Sequence, residues 1–285
     1  MRLLFAADLH GYYAAYENLL NLAVTHEVQA IIVGGDLLPH TIRIDSAVES
    51  QRAFLNESLR PLLASFHQAH PDKAVYLLPG NDDWAAAIAG LDELERMGLA
   101  YRLHQRTVAL ADNLWLTGYA CVPITPFSIK DYERYDGIGD VPAYSFAMAY
   151  TSTSGQPQRT SLAALLRQSS IADDLQRLVT QSDPARTIYI CHTPPYDTDL
   201  DLNQRKRHRG SQALRRFIEQ HQPLLTMHGH IHESPDVSQS YAQRIGATWS
   251  INAGQNDHRS HAVVLDTADI GATLWHTVYG KRLSP

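Results

Sequence analysis

Five short segments of the chain place Asp, Asn or His directly after an apolar run: Asp8-Leu9-His10, Gly34-Gly35-Asp36, Gly80-Asn81-Asp82-Asp83, Cys191-His192 and Gly229-His230-Ile231-His232. Each has an ordinary structural reading on its own. Asp-x-His merely puts two side chains on one side of an extended segment and is also a common turn or cap. Gly-Gly-Asp and Gly-Asn-Asp are turn chemistry, and a histidine after a strand is by default a satisfied buried one. Gly-His-x-His is more specific, because two imidazoles on one side of an extended segment form a natural chelating geometry. The signal is the convergence of all five, in a chain with fifteen histidines and only two cysteines. That points to metal chemistry with nitrogen and oxygen ligands.

The set has the logic of a dinuclear centre. Two divalent ions about 3.5–4 Å apart need a bridging carboxylate to offset their repulsion, and separate ligands on either side. The carboxylates are Asp8 and Asp36, the neutral oxygen is Asn81, and the imidazoles are His10, His192, His230 and His232. Oxygen and nitrogen ligands without thiolate suit manganese, iron, zinc or nickel over magnesium or calcium and do not choose among the four; manganese is the expectation taken forward.

The series DLHG, GGDLL, GNDD, CHTPP and GHIH, in this order from residue 8 to residue 232, resembles the five signatures of the calcineurin-like metallophosphoesterase superfamily. The flanking text CHTPPYDTDLD, GSQALRRFIEQHQPLL and HGHIHES further resembles a subgroup of small bacterial and archaeal metallophosphoesterases. The resemblance covers most of the chain outside about residues 125–185. It implies that Asp8, His10, Asp36 and His232 hold one metal and Asp36, Asn81, His192 and His230 the other, with Asp36 bridging. It also implies in-line attack of a metal-bridging hydroxide on a phosphomonoester or phosphodiester of nucleotide or cyclic-nucleotide type. A nuclease, and a binding scaffold that has kept the fold without catalysis, are the alternatives.

One position departs from the pattern. Most of the superfamily has a histidine after Gly-Asn in the third signature, thought to orient the phosphate or protonate the leaving group, whereas this chain has Asp82. A carboxyl group beside two cations is a poor general acid near neutral pH. Asp82 is therefore either the mark of an altered acid step or a turn carboxylate behind the ligands, and Asp83 reads as a buttress. His208 is a further candidate catalytic residue, because the subgroup often shows a histidine just before its Gly-Ser. Arg205-Lys206-Arg207-His208-Arg209 is a solvated loop that could meet an anionic substrate. Lys130-Asp131-Tyr132-Glu133 could line a substrate pocket. His228 reads as packed beside the site, and His26, His67, His70, His104 and His221 as surface residues.

The elements that must position these residues follow from periodicity. Leu3–Ala7, Ile31–Val33 and Val75–Leu78 read as buried strands, with helices over Tyr12–Val24, over about Asp45–His70 with Pro61 kinking or breaking it, and over Trp84–Met97. A hairpin is predicted around Asp112-Asn113, and about 119–160 reads as a loop-rich insertion with Thr151–Gln156 as a flexible stretch. A helix near Ser161–Thr180, a strand Thr187–Cys191, a helix Ser211–Gln220 and a strand Leu224–Met227 follow, with strands only from Arg244 onward. Strand ends that converge in this order predict an α/β chain forming one domain over 1–285. The resemblance implies the architecture, a four-layer αββα sandwich of two mixed β-sheets flanked by helices.

Composition sets the outer limits. The 285 residues are 44% hydrophobic and 19% charged, with a formal charge of −6, which argues against a nucleic-acid partner; the small phosphate ester expected as partner is what the resemblance implies. No apolar run is long enough to span a membrane. Two cysteines build no disulfide framework, so a reduced cytoplasmic compartment is expected.

Overall fold

The computed structural model describes residues 1–285 except 42, 138–145, 147, 257–259 and 282–285. Within the predicted insertion, residues 138–145 and 147 therefore lie outside the description. Two six-stranded mixed sheets form the centre of the molecule, in the αββα arrangement of helices on sheets. The first sheet is built on β1 (Arg2–Ala6), β2 (Ala30–Gly34), β3 (Ala74–Leu78) and β4 (Tyr101–Arg102), which run parallel in that order. Val263–Asp266 and Trp275–His276 extend it antiparallel on the β1 side. In the second sheet Leu114–Tyr119, Thr187–Cys191, Leu225–His228 and Thr248–Asn252 run parallel. Arg106–Ala111 and Ala242–Ile245 close its two edges antiparallel, so the hairpin around Asp112-Asn113 forms.

Strands buried on both faces need nearly continuous apolar sequence. β2 is entirely buried and the run Thr187–Cys191 likewise. Phe5, Ile32 and Leu77 of one sheet share a single buried cluster with Ile188, Ile190 and Met227 of the other. Helix Tyr13–Thr25 turns Ala15, Tyr16, Leu19, Leu20 and Ala23 inward at helical spacing. Because the central strands of each sheet run parallel, their carboxyl ends share one edge, which fixes where polar loops gather.

Four expectations change. The helix around Pro61 does not break: Ile44–Ala53 passes into a π-helical stretch, Phe54–Leu59, and then into Arg60–Ala69. The Arg60 N–H reaches back five residues to the Leu55 carbonyl, widening the turn where Pro61 has no N–H to give. Trp84–Met97 is two short helices, Ala85–Ile88 and Leu91–Arg96, parted at Gly90. Ser161–Thr180 is likewise Leu162–Leu165 and Ile171–Leu178, because Ser170 leaves the helix to form a capping box with Asp173. Finally, the last segment is not strand alone: Ile270–Thr273 is a helical turn whose Asp269 carboxylate accepts from the Ala272 N–H.

Candidate metal centre and adjoining cleft

Every ligand candidate lies just beyond a strand terminus at this common edge: Asp8 and His10 after β1, Asp36 after β2, Asn81 after β3, His192 after Cys191, and His230 and His232 after His228. The backbone there is bent out of the regions L-residues prefer. Asp8, His10, Asp36 and His230 all have positive φ, at 59°, 43°, 49° and 65°, a conformation costing about 1 kcal/mol or more per residue. Glycines permit the close approach. A Cβ on Gly35, whose φ is 116°, would strike the His192 ring, and one on Gly80 would strike the Asp36 carboxylate.

The side chains converge. Ligand atoms of Asp8, His10, Asp36 and His232 all lie within 4.8 Å of one another. His10 Nε2 is 3.2 Å from His232 Nε2 and 3.8 Å from Asp36 Oδ2, and His232 Nε2 is 3.4 Å from Asp8 Oδ1. His192 joins from the other side, its Nε2 3.3 Å from Asp36 Oδ2 and 3.8 Å from Asp8 Oδ1, while its Nδ1 is fixed 2.8 Å from the Gly34 carbonyl. The His230 ring centre is 5.4 Å from that of His192, and its backbone N–H donates to Asp8. Asp36 thus lies between the His10 and His192 sides.

These residues fit a cation. Three buried polar atoms in this group, His10 Nδ1, Asn81 Oδ1 and His192 Nε2, have no hydrogen-bond partner, a state that buried polar groups avoid unless something else satisfies them. Burial alone would lower the His192 and His232 pKa values, yet the facing Asp36 and Asp8 carboxylates raise both to about 9. Burial would likewise raise Asp36, but His192, His10 and the Asp82 N–H hold its carboxyl well below the usual range. The pocket favours positive charge. His230, which burial and the charge of His192 push down to about 3, is kept neutral and able to offer a lone pair.

The outer partners are equally ordered. The Asp82 carboxylate accepts from Asn81 Nδ2 at 3.0 Å, which leaves Asn81 Oδ1 as the free end of the amide. Its Oδ2 also faces His10 Nδ1 at 3.8 Å and His40 Nδ1 at 3.6 Å. Buried Asp83 accepts from the N–H groups of Leu37, Leu38 and Gly80 and so ties the Asp36 loop to the Asn81 loop. Two residues of this layer have no place among the sequence candidates. His40 carries no periodic or motif signal beyond its neighbour Pro39. Gln51 is a polar side chain on a buried helix face, where its Nε2 donates to the Pro39 and Asp82 carbonyls and its Oε1 accepts from Trp84. A polar residue on the inward face of an amphipathic helix is the signal that could have found it.

His208 stands apart from the ligand cluster. It lines a cleft of about 660 Å³ that also touches His230. Its Nδ1 is 2.7 Å from Oδ1 of fully buried Asp201, which also accepts from the N–H groups of Thr198, Arg209 and Gly210. Of the basic run, His208 and Arg209 line the cleft while Arg205, Lys206 and Arg207 are exposed.

The Lys130–Glu133 segment is not a pocket wall. Lys130 and Glu133 are fully buried and paired at 2.7 Å, with Thr125 completing the group, and their neighbours Thr125–Phe127 and Tyr135–Asp136 line the cleft instead. Nor is Thr151–Gln156 loose throughout. Buried Ser152 donates to Asp131 and accepts from the Ala86 N–H, anchoring the insertion beside the Asn81 loop. His104 is half-buried rather than free on the surface: its ring packs against Tyr119 and Tyr132 and accepts from the Ala120 N–H. His228 is buried between the Cys191 carbonyl and the Thr226 hydroxyl, and His26, His67, His70 and His221 remain partly exposed.

A family model described as calcineurin-like phosphoesterase matches residues 1–234. The chain belongs to that family. The calcineurin-like phosphoesterases are divalent-metal hydrolases of phosphate esters, and the cluster of Asp8, His10, Asp36 and His232 lies where such a chemistry would need it. Among solved structures, TT1561 of Thermus thermophilus is 17% identical, with a TM-score of 0.57 over 99% of each chain. A dimetal phosphatase from Danio rerio is 13% identical, with a TM-score of 0.50 over 93% of this chain and 91% of the other. At such identities the likeness is one of fold. No curated protein sequence matches the chain. Among the described residues no helix is long and apolar enough to cross a membrane, and Cys121 and Cys191 are free and buried.

Proposed function

We propose that the chain is a dinuclear metal-dependent phosphoesterase acting on a small phosphomonoester or phosphodiester of nucleotide or cyclic-nucleotide type, as one cytoplasmic domain. The observation that carries this reading is the gathering of Asp8, His10, Asp36 and His232 within 4.8 Å, together with three unpartnered buried atoms, His10 Nδ1, Asn81 Oδ1 and His192 Nε2. Asp8, His10, Asp36 and His232 would hold one ion and Asp36, Asn81, His192 and His230 a second, manganese being favoured over iron, zinc or nickel. Two divalent ions there would supply an acidified water and neutralise charge gathering on the phosphoryl oxygens.

The remaining roles belong to this chain's own groups. Asp83 holds two ligand loops in register through three backbone N–H groups. Asp82 is a positioning residue in this reading: a carboxylate can only accept, so it keeps the Asn81 amide turned with its oxygen free. That role accounts for an acid at 82, where an ionised carboxylate would repel a phosphate oxygen. His208, braced by Asp201, is the group proposed to contact the ester from the cleft.

Metal content and turnover test the whole. Purified protein is expected to retain or take up two divalent ions per chain and to hydrolyse aryl phosphate mono- or diesters with manganese. A chain that binds metal but turns over no ester with manganese, nickel, iron or zinc would be a scaffold. Salt-sensitive cleavage of DNA in preference to small esters would make it a nuclease.

A further inference from the structure

The cleft beside His230 has walls from two distant parts of the chain. One is the start of the insertion, with Ile124, Pro126 and Phe127; the other is the loop after His192, with Tyr196 and His208. Ile231, between two candidate ligands, also lines it. Two aromatic side chains stay open to solvent here: Phe127 is 55% exposed and Tyr196 37%. Large apolar rings left exposed in a concavity beside reactive groups are a feature of binding sites.

The walls are fastened together. The Asp136 carboxylate accepts from the Ser211 hydroxyl and from the N–H groups of Gln212 and Ala213, joining the insertion to the helix Gln212–His221. The Tyr196 N–H donates to the Ser211 carbonyl, and Asp201 gathers the 198–210 loop around itself. Tyr196 and His208 meet edge to face, their ring centres 5.7 Å apart. A cleft held this firmly is formed before its ligand arrives, which lowers the entropy lost on binding.

We propose that this cleft seats the organic arm of the ester and takes a planar heteroaromatic ring, with Phe127 and Tyr196 as stacking surfaces and His208 as a polar contact. The inference rests on the phosphoesterase reading, because the neighbouring ligand cluster is what would hold the phosphate. Aromatic walls favour a flat ring over an alkyl or sugar arm, since stacking uses the whole ring face whereas an alkyl chain gains only area. The polar residues of the wall suit a ring whose edge can hydrogen-bond.

Binding of phosphate-free probes to the manganese-loaded protein separates the cleft from catalysis. Calorimetry should show adenosine binding at least tenfold more tightly than ribose. Phe127→Leu should weaken adenosine about tenfold, as loss of one stacking partner does, and Phe127→Trp should restore it. p-Nitrophenol distinguishes the source of the ring: binding as tight as adenosine's points to simple aryl esters, weaker binding to nucleosides. Adenosine binding no tighter than ribose, or undiminished in Phe127→Leu, overturns the proposal. Ring binding through Phe127 in a protein that hydrolyses no ester keeps the cleft and discards the phosphoesterase reading. Hydrolysis without ring preference does the reverse.

Discussion

The ligand loops and the cleft loops sit side by side and are built on opposite principles. The ligand loops are short, directly follow parallel strands, and concentrate strain, with positive φ at Asp8, His10, Asp36 and His230, where the longer cleft loop after His192 has it at Asp197 and Lys206, and they hold unpartnered atoms at His10, Asn81 and His192. The cleft loops are long, and their carboxylates are saturated: Asp201 and Asp136 each accept several hydrogen bonds. Under-satisfied groups in one region leave bonding capacity for a cation, and over-satisfied groups in the other hold a shape. Strain at the first is sustained because sheet and glycine contacts over-determine the backbone.

The largest test of that contrast is Asp83→Ala. It would leave the buried N–H groups of Leu37, Leu38 and Gly80 without an acceptor, each worth about 1–3 kcal/mol. Denaturant unfolding should show a loss of about 3 kcal/mol or more, and a loss under about 1 kcal/mol would mean that the ligand loops hold themselves. Asp82→Ala should fold normally yet weaken manganese binding about 10–100-fold, the usual effect of removing a group behind a metal ligand. Titration calorimetry measures it, and unchanged affinity would remove Asp82 from the positioning role. On the cleft side, Asp136→Ala removes the acceptor at a helix N-terminus and should cost about 1 kcal/mol. Metal affinity should stay unaltered if the two regions are independent.

A separate test is a pH dependence. Burial, followed by the charges of Arg134 and Arg102, pushes His104 from 6.5 down to about 3. Between those values the unfolded chain takes up a proton that the folded chain refuses. Its contribution is therefore complete above pH 6.5 and is lost as pH falls toward 3, by at most about 1.4 kcal/mol per pH unit. Because His104 packs under Tyr132 of the insertion, His104→Gln should flatten the fall in Tm between about pH 6 and pH 4. An acid limb of unchanged slope would assign that loss elsewhere.

The same contrast explains what could be read beforehand. Ligand candidates are legible because a parallel strand and the loop after it are contiguous in sequence, so Asp8, Asp36, Asn81 and His192 announce themselves locally. The two sheets follow from the same strands. The cleft depends on pairings such as Asp136 with Ser211, 75 residues apart, and on carboxylates whose partners are backbone N–H groups, which leave no side-chain pattern. Lys130 and Glu133 mislead for that reason: charged residues suggest an exposed wall, yet their mutual pairing lets them be buried. The helix breaks at Gly90 and Ser170 had local signals, a glycine and a capping box, that periodicity outweighed.

The proposed centre depends most on Asp36, which lies between the His10 and His192 sides of the cluster. Manganese stoichiometry and aryl phosphate hydrolysis should be measured together in the wild type and in Asp36→Asn. A bridging Asp36 predicts two ions per wild-type chain, fewer than two in the variant, and a loss of turnover greater than about a hundredfold, beyond the effect of changing a group behind a ligand. An Asp36→Asn protein that keeps both ions and full activity would contradict it.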